Sequence, residues 1–232
     1  MKTRAFVDDE VLPVIGGCWE RAEFQRDLAK RTGGLGLVGD GIEGHGCPHM
    51  SPMASELVTM ELNRGDGSLG TFPGMQSGLA IKPIDISGST EQRQRWLPGL
   101  ASVDLFGAFA LTEPLHGSGS VGLETTARPD SEEYVLDGEK RWIGNGTIVD
   151  VLVVWARNNE DGQVKGFPVG GGATGLDARR MEGKGSLRAV CRADLTFTGV
   201  RVLAAGPAPG REPLRRHCKG GSPSRPGVGA GR

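Results

Sequence analysis

FALTEPLHGSGS at residues 109–120, followed after a charged interval by GEKRWIGNG at residues 138–146, is the part of the chain that organises the rest. The first segment is an apolar run that stops at Thr112-Glu113-Pro114. Pro114 has no backbone donor and pushes Glu113 towards extended geometry, so the run should end there as an exposed turn. Gly117 and Gly119 let the backbone approach a partner closely, while Thr112, Ser118 and Ser120 supply hydroxyls. In the second segment Trp142-Ile143 closes a strand and Gly144-Asn145-Gly146 turns away from it. An apolar platform, an indole and loops that can offer backbone N–H groups suit a polar ring and a phosphate.

Downstream and around these segments the pattern is that of short strands. Leu105–Leu111, Glu124–Arg128, Tyr134–Leu136, Lys140–Ile143, Val151–Arg157, Val164–Val169 and Asp194–Val202 alternate or run apolar between Gly-rich breaks. Asp137-Gly138 reads as a hairpin turn between two of them. Strands so spaced predict a compact antiparallel barrel or sandwich.

Upstream the period is helical. Residues 4–30 place Val7, Val11, Ile15, Trp19, Phe24 and Leu28 inward, with breaks at Pro13 and Gly16-Gly17 that make two helices or one broken one, and a stop at Gly33-Gly34. Ser51-Pro52 opens a helix that runs to about Leu62, burying Leu57, Met60 and Met53. A small-residue helix covers Gly67–Ile81. Ser89-Thr90-Glu91-Gln92 is a capping box opening a third helix through Trp96-Leu97, ended by Pro98. Arg64 reads as a salt-bridge partner of Asp66 or Glu61.

Several other patterns are set aside. Gly34–Gly39 spells GxGxxG, but it follows a helix, where a dinucleotide fingerprint must follow a strand. His45, Cys47 and His49 lie in a loop with no common face and no fourth ligand nearby, so no metal is expected. The four cysteines are widely spaced, which points away from zinc and disulfides and towards a reducing cytoplasm. No apolar run has membrane-spanning length. Net charge is −1 over 232 residues, but residues 203–232 carry +5 and hold seven Gly and five Pro. This tail has no aromatic residue, is expected to be disordered, and lacks the stacking groups of a nucleic-acid binder.

The pair LTEP–HGS and W-I-x-N, in this order and at this separation, resembles the flavin-binding middle domain of acyl-CoA dehydrogenases. VVWARNNEDGQVKGF followed by GKGSLRA is similar to the glutaryl-CoA dehydrogenase branch. The resemblance covers roughly residues 6–202. It implies an α+β fold, with a helical N-terminal domain over 1–104 and an antiparallel β-barrel middle domain over 105–202. The family's helical C-terminal domain is read as absent. A shifted reading frame in GC-rich coding DNA would give the composition of residues 203–232, so a frameshifted or truncated chain is expected.

The resemblance further implies FAD as cofactor, held by Phe109, Leu111, Thr112, Gly117, Ser118, Trp142, Ile143 and Gly144. Ser118, Gly70 and Thr71 fall on the acyl-CoA side. Gly144 replaces a residue that is often Thr or Ser in relatives. The arginine that clamps a distal carboxylate in glutaryl-specific members would fall at Gly70, which cannot supply it. The implied reaction is α,β-dehydrogenation of a short-chain acyl-CoA, glutaryl-CoA included, with electrons leaving to an electron-transferring flavoprotein and with homo-oligomeric relatives. The catalytic glutamate belongs to the C-terminal domain, so no catalytic residue is assigned. In Glu113 it is the backbone, not the acid, that carries the match. The alternative is a non-catalytic remnant that at most binds flavin or CoA weakly.

Overall fold

A computed structural model describes residues 2–203; the expectations for the basic tail lie outside these, apart from Leu203. The first hundred residues are helical: α1 (Lys2–Phe6), α2 (Leu12–Glu20), α3 (Arg26–Gly34), α4 (Pro52–Gly65), α5 (Gly67–Gly74), α6 (Lys82–Ser87) and α7 (Thr90–Ser102). Wider π-type turns, Val7–Val11 and Met75–Ile81, join α1 to α2 and α5 to α6. The caps are where the sequence puts them. Ser51 Oγ accepts from the Ala54 amide, and Ser89 and Gln92 form a reciprocal capping box. No helix among the described residues is long and apolar enough to cross a membrane.

Three expectations for the helices are corrected. Helix α7 runs through Pro98 to Ser102 because Leu97, Leu100 and Ala101 are buried on both sides of the exposed proline. Met53, Leu57 and Met60 are 71%, 45% and 67% exposed, and only Leu62 of α4 is fully buried. Trp19 lies at the surface beneath the Arg188 guanidinium instead of in the core. Arg64 does bind Glu61, but its second partner is Asp8; Asp66 instead caps α5, accepting from Ser68 and Leu69 amides.

The β part is one seven-stranded sheet: β1 (Gly107–Ala110), β2 (Thr126–Asp130), β3 (Glu133–Gly144), β4 (Val151–Asn158), β5 (Val164–Gly170), β6 (Leu176–Arg180) and β7 (Arg192–Leu203). Strand β4, VLVVWARN, is apolar on both faces and lies in the middle. Val151, Val153 and Trp155 pack on the helices with Phe72, Phe106, Leu97 and Leu100. Leu152, Val154 and Ala156 pack on the opposite side with Leu136, Leu195, Phe197 and Val200.

β5 pairs antiparallel along one edge of β4. The other edge is shared, first by β1 and then by β2, both parallel to it. The sheet is therefore mixed, with antiparallel β2–β3, β3–β7 and β6–β7 ladders completing it. Asp137-Gly138 is not a hairpin turn: β3 passes straight through it with a register shift against β7. The chain reverses at Ser131-Glu132 instead, with Ser131 at φ 58°. Glycine is needed at 138 because a Cβ there would press on Thr125 at 2.7 Å and φ is 146°. β6 escaped the sequence reading because four of its five residues are exposed and it shows no apolar alternation.

Candidate functional site

The two organising segments come together. β1 ends at Ala110, and the next three residues are strapped to β3. The Arg141 N–H donates to the Thr112 carbonyl at 2.8 Å. Lys140 Nζ donates to the Leu111 carbonyl at 3.1 Å and to Glu113 Oε1 at 2.8 Å. Asn145 Nδ2 donates to the Gly107 carbonyl at 3.0 Å, tying the turn after β3 to the start of β1. Leu111 and Thr112, both half-buried, are thus held against Lys140 and Arg141, the two residues before Trp142.

Glu113 is the hub of this junction. Its carboxylate is buried and accepts from the Glu124 amide (2.6 Å), the Thr125 amide (2.9 Å), the Thr125 hydroxyl (2.5 Å) and Lys140. Burial opposes its ionisation, yet the Glu124 amide, Lys140 and Thr125 outweigh it and draw the carboxyl down to about 2. Lys140 is equally enclosed but has only two acceptors, so burial dominates and lowers its ammonium to about 8 in spite of Glu113. The acid of Glu113 therefore has a structural role of its own, beside the backbone match that the sequence suggested. Sequence gave no sign of either role. Lys140 sits between Glu139 and Arg141 in a strand whose bulge scrambles inward and outward parity.

The remaining predicted residues divide. Trp142 is half exposed with φ 63°, its backbone N–H directed to Asp194 Oδ1 at 3.3 Å and its ring beneath Arg141. Phe109 meets Trp155 with its ring tilted, centroids 5.8 Å apart, facing the helix-side core. Ile143 is buried in the opposite core. Gly117 and Ser118 are exposed in the loop after Pro114. Gly70 and Thr71 lie on α5. A Cβ at Gly70 would stand within 2.6 Å of the Asn63 side-chain amide, and Thr71 Oγ1 donates to the Gly67 carbonyl. One turn beyond Thr71, Met75 reaches β3, and its sulfur occupies the space of a side chain at Gly144. Met75 carries no motif, which is why the sequence did not reveal it.

The sequence matches the family models for the acyl-CoA dehydrogenase N-terminal domain over residues 1–104 and the acyl-CoA dehydrogenase middle domain over residues 108–200. The chain belongs to the acyl-CoA dehydrogenase family. It is 38% identical over 194 residues to a probable acyl-CoA dehydrogenase of Bacillus subtilis (strain 168), covering 79% of this chain and 32% of that protein. The human mitochondrial short-chain specific acyl-CoA dehydrogenase is 33% identical over 203 residues, covering 86% of this chain and 49% of that protein. A glutaryl-CoA dehydrogenase from Mycobacterium smegmatis, solved in complex with FADH2, superposes with a TM-score of 0.85 at 38% identity. That match covers 88% of this chain and 52% of the solved one. The chain thus spans about a third to a half of the length of these relatives.

Proposed function

We propose that the chain supplies the flavin and acyl-CoA sites of an FAD-dependent dehydrogenase acting on a short-chain acyl-CoA. The observation that carries this is the strapping of Leu111–Glu113 onto β3 at Lys140 and Arg141, immediately before Trp142, which brings backbone groups, a hydroxyl and an exposed indole onto one strand. These residues fit a flavin: the half-exposed Trp142 ring offers a wall, Thr112 a hydroxyl and amide, and the Gly117-Ser118 loop donors for a phosphate. When bound, FAD would accept the hydride from the acyl β-carbon. The chain's own part is to hold the ring and stabilise the charge that develops on it. We divide the work between a helical domain to residue 104 and a β domain over 105–202.

No carboxylate here is assigned as the base for the α-proton. Glu113 is saturated by donors and its proton affinity is too low for that task. Asn63 fills the space beside Gly70 that a carboxylate-clamping arginine would need, so we favour an uncharged short acyl group over glutaryl-CoA. Electrons would pass to an electron-transferring flavoprotein, and assembly into homo-oligomers follows the family. A second reading, a flavin or CoA binder without turnover, is favoured by the same saturation of Glu113.

The test is direct. The purified chain is incubated with FAD, desalted, scanned for a flavin band and assayed for dye reduction with butyryl-CoA and glutaryl-CoA. A flavin band with butyryl-CoA turnover supports the dehydrogenase reading, and a band without turnover supports the binder. A chain that retains no flavin overturns the dehydrogenase reading and the flavin-binding form of the second.

A further inference from the structure

The buried ammonium of Lys140 serves no step in the function proposed above, and its placement is specific. It is fully enclosed, its charge is shared between the Glu113 carboxylate at 2.8 Å and the Leu111 carbonyl at 3.1 Å, and its backbone neighbour Arg141 binds the Thr112 carbonyl. The Leu111 carbonyl and the Thr112 N–H belong to the same peptide group. A cation on the oxygen of an amide withdraws electrons through it and makes its N–H a stronger donor, an effect enlarged where water is excluded.

We propose that Lys140 is a positioning residue that polarises the Leu111–Thr112 peptide, so that the Thr112 amide favours the more negative, reduced form of the flavin. Glu113 fixes the ammonium in place, and its three other donors, the Glu124 amide and the Thr125 amide and hydroxyl, keep it from drawing the lysine away from Leu111. This inference rests on the flavin reading of the site. It concerns how strongly the site prefers one oxidation state, and so it differs from a claim that the lysine merely holds the fold.

The experiment compares the reduction potential of FAD bound to the unaltered chain, to Lys140→Met and to Lys140→Arg. The methionine variant should lower the potential by about 30 mV or more, a tenfold shift in the two-electron equilibrium, and the arginine variant should recover most of it. Equal potentials in all three overturn the inference while leaving the flavin reading intact. Failure of the unaltered chain to bind FAD overturns both.

Should the variants not fold, the unaltered apo chain gives a second readout. The amide nitrogen resonance of Thr112 is followed with that of Lys140 Nζ as the ammonium titrates. Glu113, His116, Glu124, Glu139, Arg141 and Asp194 are charged or titratable groups around this junction, so co-titration with the Nζ signal itself is the criterion. Co-titration supports the polarised peptide, and an unmoved Thr112 amide overturns it.

Discussion

Glu113 shows how much one side chain can organise. Its carboxylate joins the turn after β1, the start of β2 through Thr125, and β3 through Lys140. Because its folded value of about 2 lies below its ordinary 4.5, its contribution is complete above about pH 4.5 and is lost as pH falls towards 2. Glu61, held by Arg4 and Arg64, is drawn down to about 2 as well and acts over the same window. Thermal melts from pH 6 to pH 2 should therefore show a steep acid limb that Glu113→Gln makes shallower, leaving the portion due to Glu61 and to Glu10, Glu91 and Asp161, which hydrogen bonds also hold below the ordinary range. A limb of unchanged slope would mean that Glu113 is not ionised in the folded protein.

At the same scale, Met75 explains Gly144. Any side chain at 144 overlaps the methionine sulfur, so Gly144→Thr should cost about 1–3 kcal/mol by overpacking. The cost should largely vanish in a Met75→Ala background. Urea denaturation of the four proteins in this cycle measures the coupling directly. Equal costs in both backgrounds would show that the two residues do not meet.

Among the elements, α7 owes its start to a purely local device. Ser89→Ala removes the hydroxyl that accepts from the Gln92 amide at 3.2 Å and should cost about 1 kcal/mol. The same substitution at exposed Ser102 should be close to neutral in denaturant titrations. Devices of this range are legible in sequence, and so both serine caps and the apolar β4 could be read from it. The hidden elements depend on partners far along the chain. The exposure of Met60 depends on what α4 packs against, the continuation of α7 past Pro98 on buried Leu100, and the passage of β3 through Gly138 on Thr125. For the candidate site, Thr112 and Trp142 were visible because they sit in motifs. Lys140, Met75 and the carboxylate of Glu113 were not, because only the folded chain reveals which way they point.

Across the whole molecule, the β part grips the first helices through cations on backbone carbonyls. Arg188 donates to the carbonyls of Trp19 and Glu20 at 3.1 and 3.0 Å, where α2 ends, and Arg180 reaches the Ala22 carbonyl. Cations at a helix C-terminus are favourable, and Arg188 here adds to the bond that the Trp19 carbonyl already accepts from the Ala22 amide. Arg188→Met keeps the stem but loses the fork, and should lower stability by about 2 kcal/mol. Hydrogen exchange should rise first in residues 12–22. Exchange rising uniformly over the chain would place the grip elsewhere.

The shared edge of β4 has one more consequence. β1 and β2 occupy successive lengths of that edge, so the segment between them leaves and re-enters the sheet at fixed anchors. Its clamped root at Glu113 and Thr125 absorbs no change, but the loop beyond it, exposed at Pro114, Leu115, Gly117, Ser118 and Gly119, is a tether whose closure entropy grows slowly, about 0.6 kcal/mol for each doubling in length. Insertions there would leave the sheet's register untouched. The chain therefore carries, beside its most constrained junction, a place where new ligand-contacting sequence can be tried at small thermodynamic cost.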